Sequence, residues 1–535
     1  MIPGARSLVP WLALLVLCSA LFCCTAPGRI GYPDDEIVFQ TTQSLVERGS
    51  FEVQGIAKRT GEREDRPTGS FGWAPGRDGR RYGFFGQGLS IVAVPIYLIA
   101  DATVDRVPER WRYAIRSDLF TFHQRSHEAD WLRLLVSLTN SLITPLGALL
   151  LGLWLRELGH GPRASVLTAL CYALGTTAWP YAGTFLSEPL SVLVLLGAAL
   201  EITRWHHDAR PRHLWIAATL AGLSVHVHLL NLLALPCLLG YALGPALARE
   251  GLGGALRQLD RRAWIGAALL CALGLALLGL SQWWRFGSPF ETGRYDHYGR
   301  WVWPWRGVFT MLVAPGRSLL IYSPPLLLGL AAWPALRRRD PNTAVFVLAL
   351  ALTRLLFVAC RSDWHGGWAI GPRYLVPTIP FLLVPLAGWF ERWSTHGRPA
   401  QILGAGLLGA SLPLQAWLAS HSVFQLFWQL NIEHGRERYM AVADWDLAAT
   451  PPIAFWTMQQ PALEFARAGN WVAARTAAQF DALGFGAWRL AQLTEADGLW
   501  QILRGLGVAG AIAAIVLGWW LISPRSRDEG QSGAG

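Results

Sequence analysis

Long apolar runs recur along this chain and leave it few folds to choose from. "LLVSLTNSLITPLGALLLGLWL", "PLSVLVLLGAAL" and "IGAALLCALGLALLGL" contain no charged residue. A helix crosses a bilayer with roughly 20 apolar residues, somewhat fewer in an interior position. Inside hydrocarbon the backbone must satisfy its own hydrogen bonds, so runs of this kind become helices. With 52% hydrophobic and only 15% charged residues over 535 positions, the chain is too apolar for an ordinary soluble protein of its length. The expected class is all-α and polytopic.

We place about twelve transmembrane helices, near 8–25, 131–155, 164–179, 188–204, 213–228, 231–247, 263–281, 319–335, 342–360, 374–390, 401–419 and 503–522. The first run follows Arg6 and precedes small residues, so a secretory signal is its alternative reading. With the N-terminus inside, every short inner loop is basic, including Arg156 and Arg163, Arg210 and Arg212, and Arg337 to Arg339. That is the pattern the positive-inside rule asks for, and it accounts for the net charge of +10 without a nucleic-acid partner. The apolar stretch at 89–100 is short and has Pro95 in its middle, so it reads as an interfacial or re-entrant helix, with a thirteenth span as the alternative. The expected domains are a transmembrane unit at 1–419 with a first outer loop at 26–130, a small outer helical region at 420–502, and a last span with its tail at 503–535. The seven cysteines show neither metal-ligand spacing nor a disulfide framework.

Chemistry concentrates on the outer face. "YPDDEIVF" sets Asp34, Asp35 and Glu36 at the start of an amphipathic helix that Gly49 ends, right after the first span. One acid satisfies a helix dipole; three beside a membrane point to a general base or a cation site. Glu188, in "TFLSEPL", opens another span on the same side. Arginines there run against the positive-inside trend: Arg133, Arg294, Arg317 and Arg373. A guanidinium binds phosphate through two charge-assisted hydrogen bonds, while pairing with acids or lipid headgroups is the plainer account. Trp283, Trp284, Trp301, Trp303 and Trp305 fit an interface belt better than a sugar platform. His226 and His228 form an HxH pair, a weak metal signal. No P-loop, dinucleotide fingerprint or HExxH is present, and several spans carry no charge deep inside, which leaves ATP-driven or ion-coupled transport without support.

The order "DDEIVF", "YGFFGQGLSIVAVPIY", "TTAWPYAGTFLSEPL" resembles the GT-C glycosyltransferase superfamily, which includes protein O-mannosyltransferases, the lipid A aminoarabinose transferase and the oligosaccharyltransferase catalytic subunit. "FGSPFETG", "APGRSLLIYSPPLLL" and "WHGGWAIGPRYLVPTIP" look like a bacterial branch of it, and the likeness runs over about 8–390. The resemblance implies the GT-C fold and transfer of a sugar, with inversion, from a polyprenyl-phosphate donor to an acceptor outside the cytoplasm. It implies a location in the bacterial inner membrane among membrane lipids, with a glycan, lipid or protein as acceptor. The acid pattern falls on Asp35, Glu36 and Phe39, making Asp35 the base, with Asp34 the neighbouring alternative. Glu188, Arg133, Arg294 and Arg373 become substrate-binding candidates, and the matched segments add Tyr82 and His365. The superfamily's "HPPL" signature is replaced by "YGFFGQGLS", which leaves the acceptor class open. Metal use varies across the superfamily, so a divalent cation is the one cofactor left open. The competing expectation is a flippase or exporter of lipid-linked glycan, or a non-catalytic accessory of envelope glycan assembly.

Overall fold

The structure, a computed structural model, describes residues 5–54, 72–108, 127–258, 260–294, 300–485 and 497–523. Parts of the outer regions 26–130 and 420–502, and the tail arginines Arg525 and Arg527, lie outside the described residues. All twelve expected spans are helical. Among the described residues eight helices are long and apolar enough to cross a membrane: Leu8–Thr25, Trp131–Glu157, Leu229–Gly251, Arg261–Phe286, Pro341–Ala359, Arg373–Glu391, Arg398–Ala419 and Gly498–Ile522. Three of the remaining four are short, at 14 residues (Pro162–Gly175), 17 (Pro211–Val227) and 15 (Pro325–Arg339). The fourth, Glu188–Asp208, is 21 residues long but charged at both ends. Pro162–Gly175 and Glu188–Asp208 are largely buried in the bundle, whereas Pro211–Val227 and Pro325–Arg339 bury one face and expose Ile216, Leu223, Leu327 and Leu330 on the other. The chain is an all-α, multi-pass membrane protein.

Helix α1 (Ala5–Thr25) packs on the Asp497–Ile522 helix and delivers the chain to α2 (Pro33–Arg48). Pro33 starts α2 because its missing N–H lies where a helix has no use for one, and Gly49 ends it at φ 59°. The sequence suggests a helix lying on the membrane surface, but α2 is enclosed, with everything from Asp35 to Thr42 buried. Its cover is the hairpin β1 (Trp73–Pro75) and β2 (Arg81–Gly83), paired antiparallel with Ala74 opposite Tyr82, together with α3 (Gly88–Val92) and α4 (Val94–Val104). Helix α4 has 11 residues and follows α3 directly through Ala93.

Residues 420–485 form short helices that dock on the bundle rather than stand apart. Arg317, expected near phosphate, is instead fully buried and donates from Nε to Asp444 at 2.6 Å. Tyr322, Ile370 and Leu418 of the bundle share a hydrophobic cluster with Phe427 and Phe455 of this region. Arg29 grips both oxygens of Asp481 at 2.6 Å. Gly316 allows the closest approach: a Cβ there would lie 1.8 Å from the Ala443 carbonyl oxygen. Gly316→Ala is therefore expected to lower stability by roughly 1–3 kcal/mol through overpacking and to open 420–485 to limited proteolysis. An unchanged digestion pattern would show that this contact does not hold the region down.

Candidate active site

Three consecutive acids on α2 meet three different environments. A helix turns about 100° per residue, so neighbours in sequence face different elements. Asp34 accepts from Arg373 Nη1 at 2.7 Å. Glu36 faces the Trp131–Glu157 span, where Arg133 donates from Nε and Nη2 at 3.0 and 2.7 Å and Gln40 adds a third bond at 3.0 Å. The Arg133 guanidinium also stands 4.4 Å from the Phe39 ring centre. Asp35, 1% exposed, points at the turn before Glu188, where its Oδ2 accepts from Phe185 N at 3.0 Å. Its Oδ1 is buried and has no partner among the described residues. Burial pushes the Asp35 carboxyl well above the usual carboxylate range. The Phe185 bond and Arg373 oppose that rise, while Asp34 and Glu188 add to it.

Asp35 also lies in the walls of two cavities. The larger, of about 820 Å3, is lined by Asp34, Asp35, Arg285, Arg294 and Arg373, with Val38, Leu89, Leu229 and Leu278 on its apolar side. The smaller, of about 490 Å3, is lined by Asp35, Tyr32, Thr184, Phe424 and the Arg29–Asp481 pair. The first is rich in cations and partly greasy. In the second, one ion pair balances its own charge.

The cations of the larger cavity differ in how far they are committed. Arg373 bridges two acids, with Nη1 on Asp34 and Nε on Glu188 Oε1, both at 2.7 Å, and Nη2 has no partner among the described residues. Arg285 is held by the Gly83 carbonyl at 2.7 Å and by Gln282 at 3.1 Å. Arg294 has no carboxylate partner among the described residues and stands 5.5 and 5.9 Å from the Phe84 and Phe85 ring centres. His228 is in the same wall, its Nδ1 accepting from Leu230 N at 3.1 Å. Among the described residues no group of three or more His, Cys, Asp or Glu is arranged to hold a metal ion. Asp34 and Glu188 each spend one oxygen on Arg373, and Glu188 Oε2, like Asp35 Oδ1, is buried with no partner among the described residues.

The structure thus brings Asp34, Asp35, Glu188, Arg294 and Arg373 together. Glu36 and Arg133 face each other instead of either cavity. Tyr82 donates to Asp78 at 2.7 Å and packs edge-on to Trp284, bracing the hairpin outside the cavity wall; burial and Asp78 push its phenol up to about 12. His365 caps its own turn, accepting from Gly367 N at 3.0 Å, and burial pushes its imidazole down to about 4. Sequence reasoning missed Arg285 and His228 as wall residues. Arg285 sits inside the Trp-rich stretch that looked like an interface belt.

No protein-family model and no curated protein matches the sequence. Among solved structures the chain is similar to ArnT from Cupriavidus metallidurans bound to undecaprenyl phosphate, at 14% identity over 97% of this chain and 78% of that one, with a TM-score of 0.49. The apo form of the same protein gives 14% identity, 96% and 76% coverage and a TM-score of 0.45. The oligosaccharyltransferase of Archaeoglobus fulgidus gives 12% identity over 82% of this chain and 59% of that one, with a TM-score of 0.44. Likeness of this degree assigns no residue a role.

Proposed function

We propose that this protein is a GT-C membrane glycosyltransferase that moves a sugar from a polyprenyl-phosphate donor to an acceptor hydroxyl, with inversion and with Asp35 as general base. One observation carries the reading: a buried carboxylate with a free oxygen stands between a cationic, partly apolar cavity and a charge-balanced one. The cationic cavity suits a lipid phosphate and the start of its tail. The balanced cavity suits a neutral hydroxyl compound. In the step, the acceptor O–H proton passes to Asp35 Oδ1 while the acceptor oxygen bonds to the sugar C1. The bond from C1 to the phosphate oxygen breaks, and its electron pair leaves on the lipid phosphate. Arg294 and the free Nη2 of Arg373 stabilise that growing charge in a site of low dielectric. The Phe185 amide fixes the rotation of the Asp35 carboxylate. We place this chemistry on the extracytoplasmic side of the bacterial inner membrane, with a glycan, lipid or protein as acceptor.

The test is release of polyprenyl phosphate from a panel of radiolabelled polyprenyl-phosphate sugars, with acceptor supplied, by wild type and by Asp35→Asn. Release by wild type alone supports the proposal. Lipid-linked sugar crossing vesicles equally well with both proteins, and released by neither, turns the reading to transport.

The donor cavity makes its own prediction. Arg294 is held among the described residues by the Phe84 and Phe85 rings, so Arg294→Gln is expected to lower the thermal midpoint only slightly. A hydrogen bond to a charged group is worth about 1.5–3 kcal/mol, so undecaprenyl phosphate should bind about 10- to 100-fold more weakly. Equal affinity, measured in detergent by titration, removes Arg294 from the phosphate site.

A further inference from the structure

The Pro341–Ala359 helix is apolar enough to cross a membrane, yet Arg354 lies within it and is 2% exposed. A charged side chain inside a span is costly and is kept where it has work to do. Its guanidinium does not reach out to the interface, because it is buried with the rest of the side chain. Both of its hydrogen-bond partners are neutral: Nε donates to the Tyr374 carbonyl and Nη1 to Asn231 Oδ1 at 3.0 Å.

Each partner leads to one side of the Arg373–Glu188 pair. Tyr374 follows Arg373 in a 3-10 turn, Arg373–Thr378, that contains Pro377. A 3-10 turn bonds each carbonyl to the N–H three residues on, and for Tyr374 that residue is Pro377, which has none. Arg354 supplies the missing donor. On the other side, Asn231 donates from Nδ2 to Ser191 Oγ at 3.0 Å and to the Ser224 carbonyl at 2.9 Å. Ser191 lies three residues after Glu188, on the first turn of the Glu188–Asp208 helix. One guanidinium therefore ties the turn that carries Arg373 to the helix end that carries Glu188.

We propose that Arg354 is a positioning residue. It holds these two elements in the register that lets Arg373 bridge Asp34 and Glu188 in the donor-cavity wall. The proposal rests on the reading of that cavity as a lipid-phosphate site.

The experiment compares undecaprenyl phosphate affinity of wild type, Arg354→Gln, Arg373→Gln and the double variant. Residues that act as a unit are non-additive, so each single change should weaken binding by about tenfold or more, and the double by no more than about twofold beyond Arg373→Gln alone. A merely structural loss would multiply with the loss at Arg373. Multiplied losses, or wild-type affinity in Arg354→Gln, overturn the proposal. Should Arg354→Gln fail to fold, Asn231→Ala breaks the same chain of bonds and takes its place in the cycle. Wild type binding undecaprenyl phosphate no better than the free polyprenol would sink the cavity reading instead. The same four proteins' thermal midpoints then decide the positioning role: non-additive shifts support it and additive shifts overturn it.

Discussion

Asp35→Asn is expected to cut sugar transfer by about 10²- to 10⁴-fold, the usual contribution of a general base, and to raise the thermal midpoint at neutral pH. The two effects share one cause. Asp35 is 1% exposed, and burial pushes its carboxyl well above the usual carboxylate range. The fold therefore favours the neutral acid. Its contribution to stability is fully present below the unfolded pKa and is lost as pH rises through the folded one. At neutral pH the wild type bears that cost, and the neutral amide does not. Well below the unfolded pKa, at about pH 3 or lower, the two midpoints should converge, because the acid is then protonated in both folded and unfolded chains. Activity runs the opposite way. The base works only when ionised, so the acid limb of the wild-type profile should inflect well above the ordinary carboxylate pKa. Asp34, in contact with Arg373 at 2.7 Å, lacks the free buried oxygen. Asp34→Asn should keep the acid limb but move it to lower pH, because the Asp34 charge is one cause of the raised Asp35 carboxyl. Full activity in Asp35→Asn, or an acid limb that disappears in Asp34→Asn, would remove Asp35 as the base.

Much of this architecture was legible in the residues. The apolar runs located the twelve expected spans, and Gly49 marked the end of α2, because these are local rules of hydropathy and backbone geometry. The acid triplet also stood out as a feature. Its division of labour did not, since it depends on which distant element covers each face of α2. Arg133 is 97 positions from Glu36, Phe185 is 150 from Asp35 and Arg373 is 339 from Asp34. Arg317 illustrates the same limit. It reads as a phosphate ligand until Asp444, 127 residues later, takes it. Arg354 had a usable signal, a charge inside "LALALTRLLFVA", but its neutral partners lie in two other segments and leave no pattern in the sequence.

The pair Glu36–Arg133 should show the largest effect on stability and none of its own on chemistry. Their side chains are 1% and 8% exposed, and the guanidinium spans both carboxylate oxygens. Breaking a buried pair from one side strands the other charge and costs about 3–5 kcal/mol. Glu36→Gln and Arg133→Met are each expected to lose stability on that scale, with α2 loosened and sugar transfer falling because Asp35 is displaced. In the double variant neither stranded charge remains. The remaining amide can pair with Gln40, which already bonds residue 36 at 3.0 Å. Most of the lost stability should therefore return, since replacing both members of a buried pair by neutral groups of similar volume is often close to neutral. Activity should return with it if Glu36 serves only to fix α2 against the Trp131–Glu157 span. A stable double variant that stays inactive would move Glu36 or Arg133 into the chemistry, where the family resemblance first put them. Thermal midpoints and polyprenyl phosphate release on the same four proteins separate these cases.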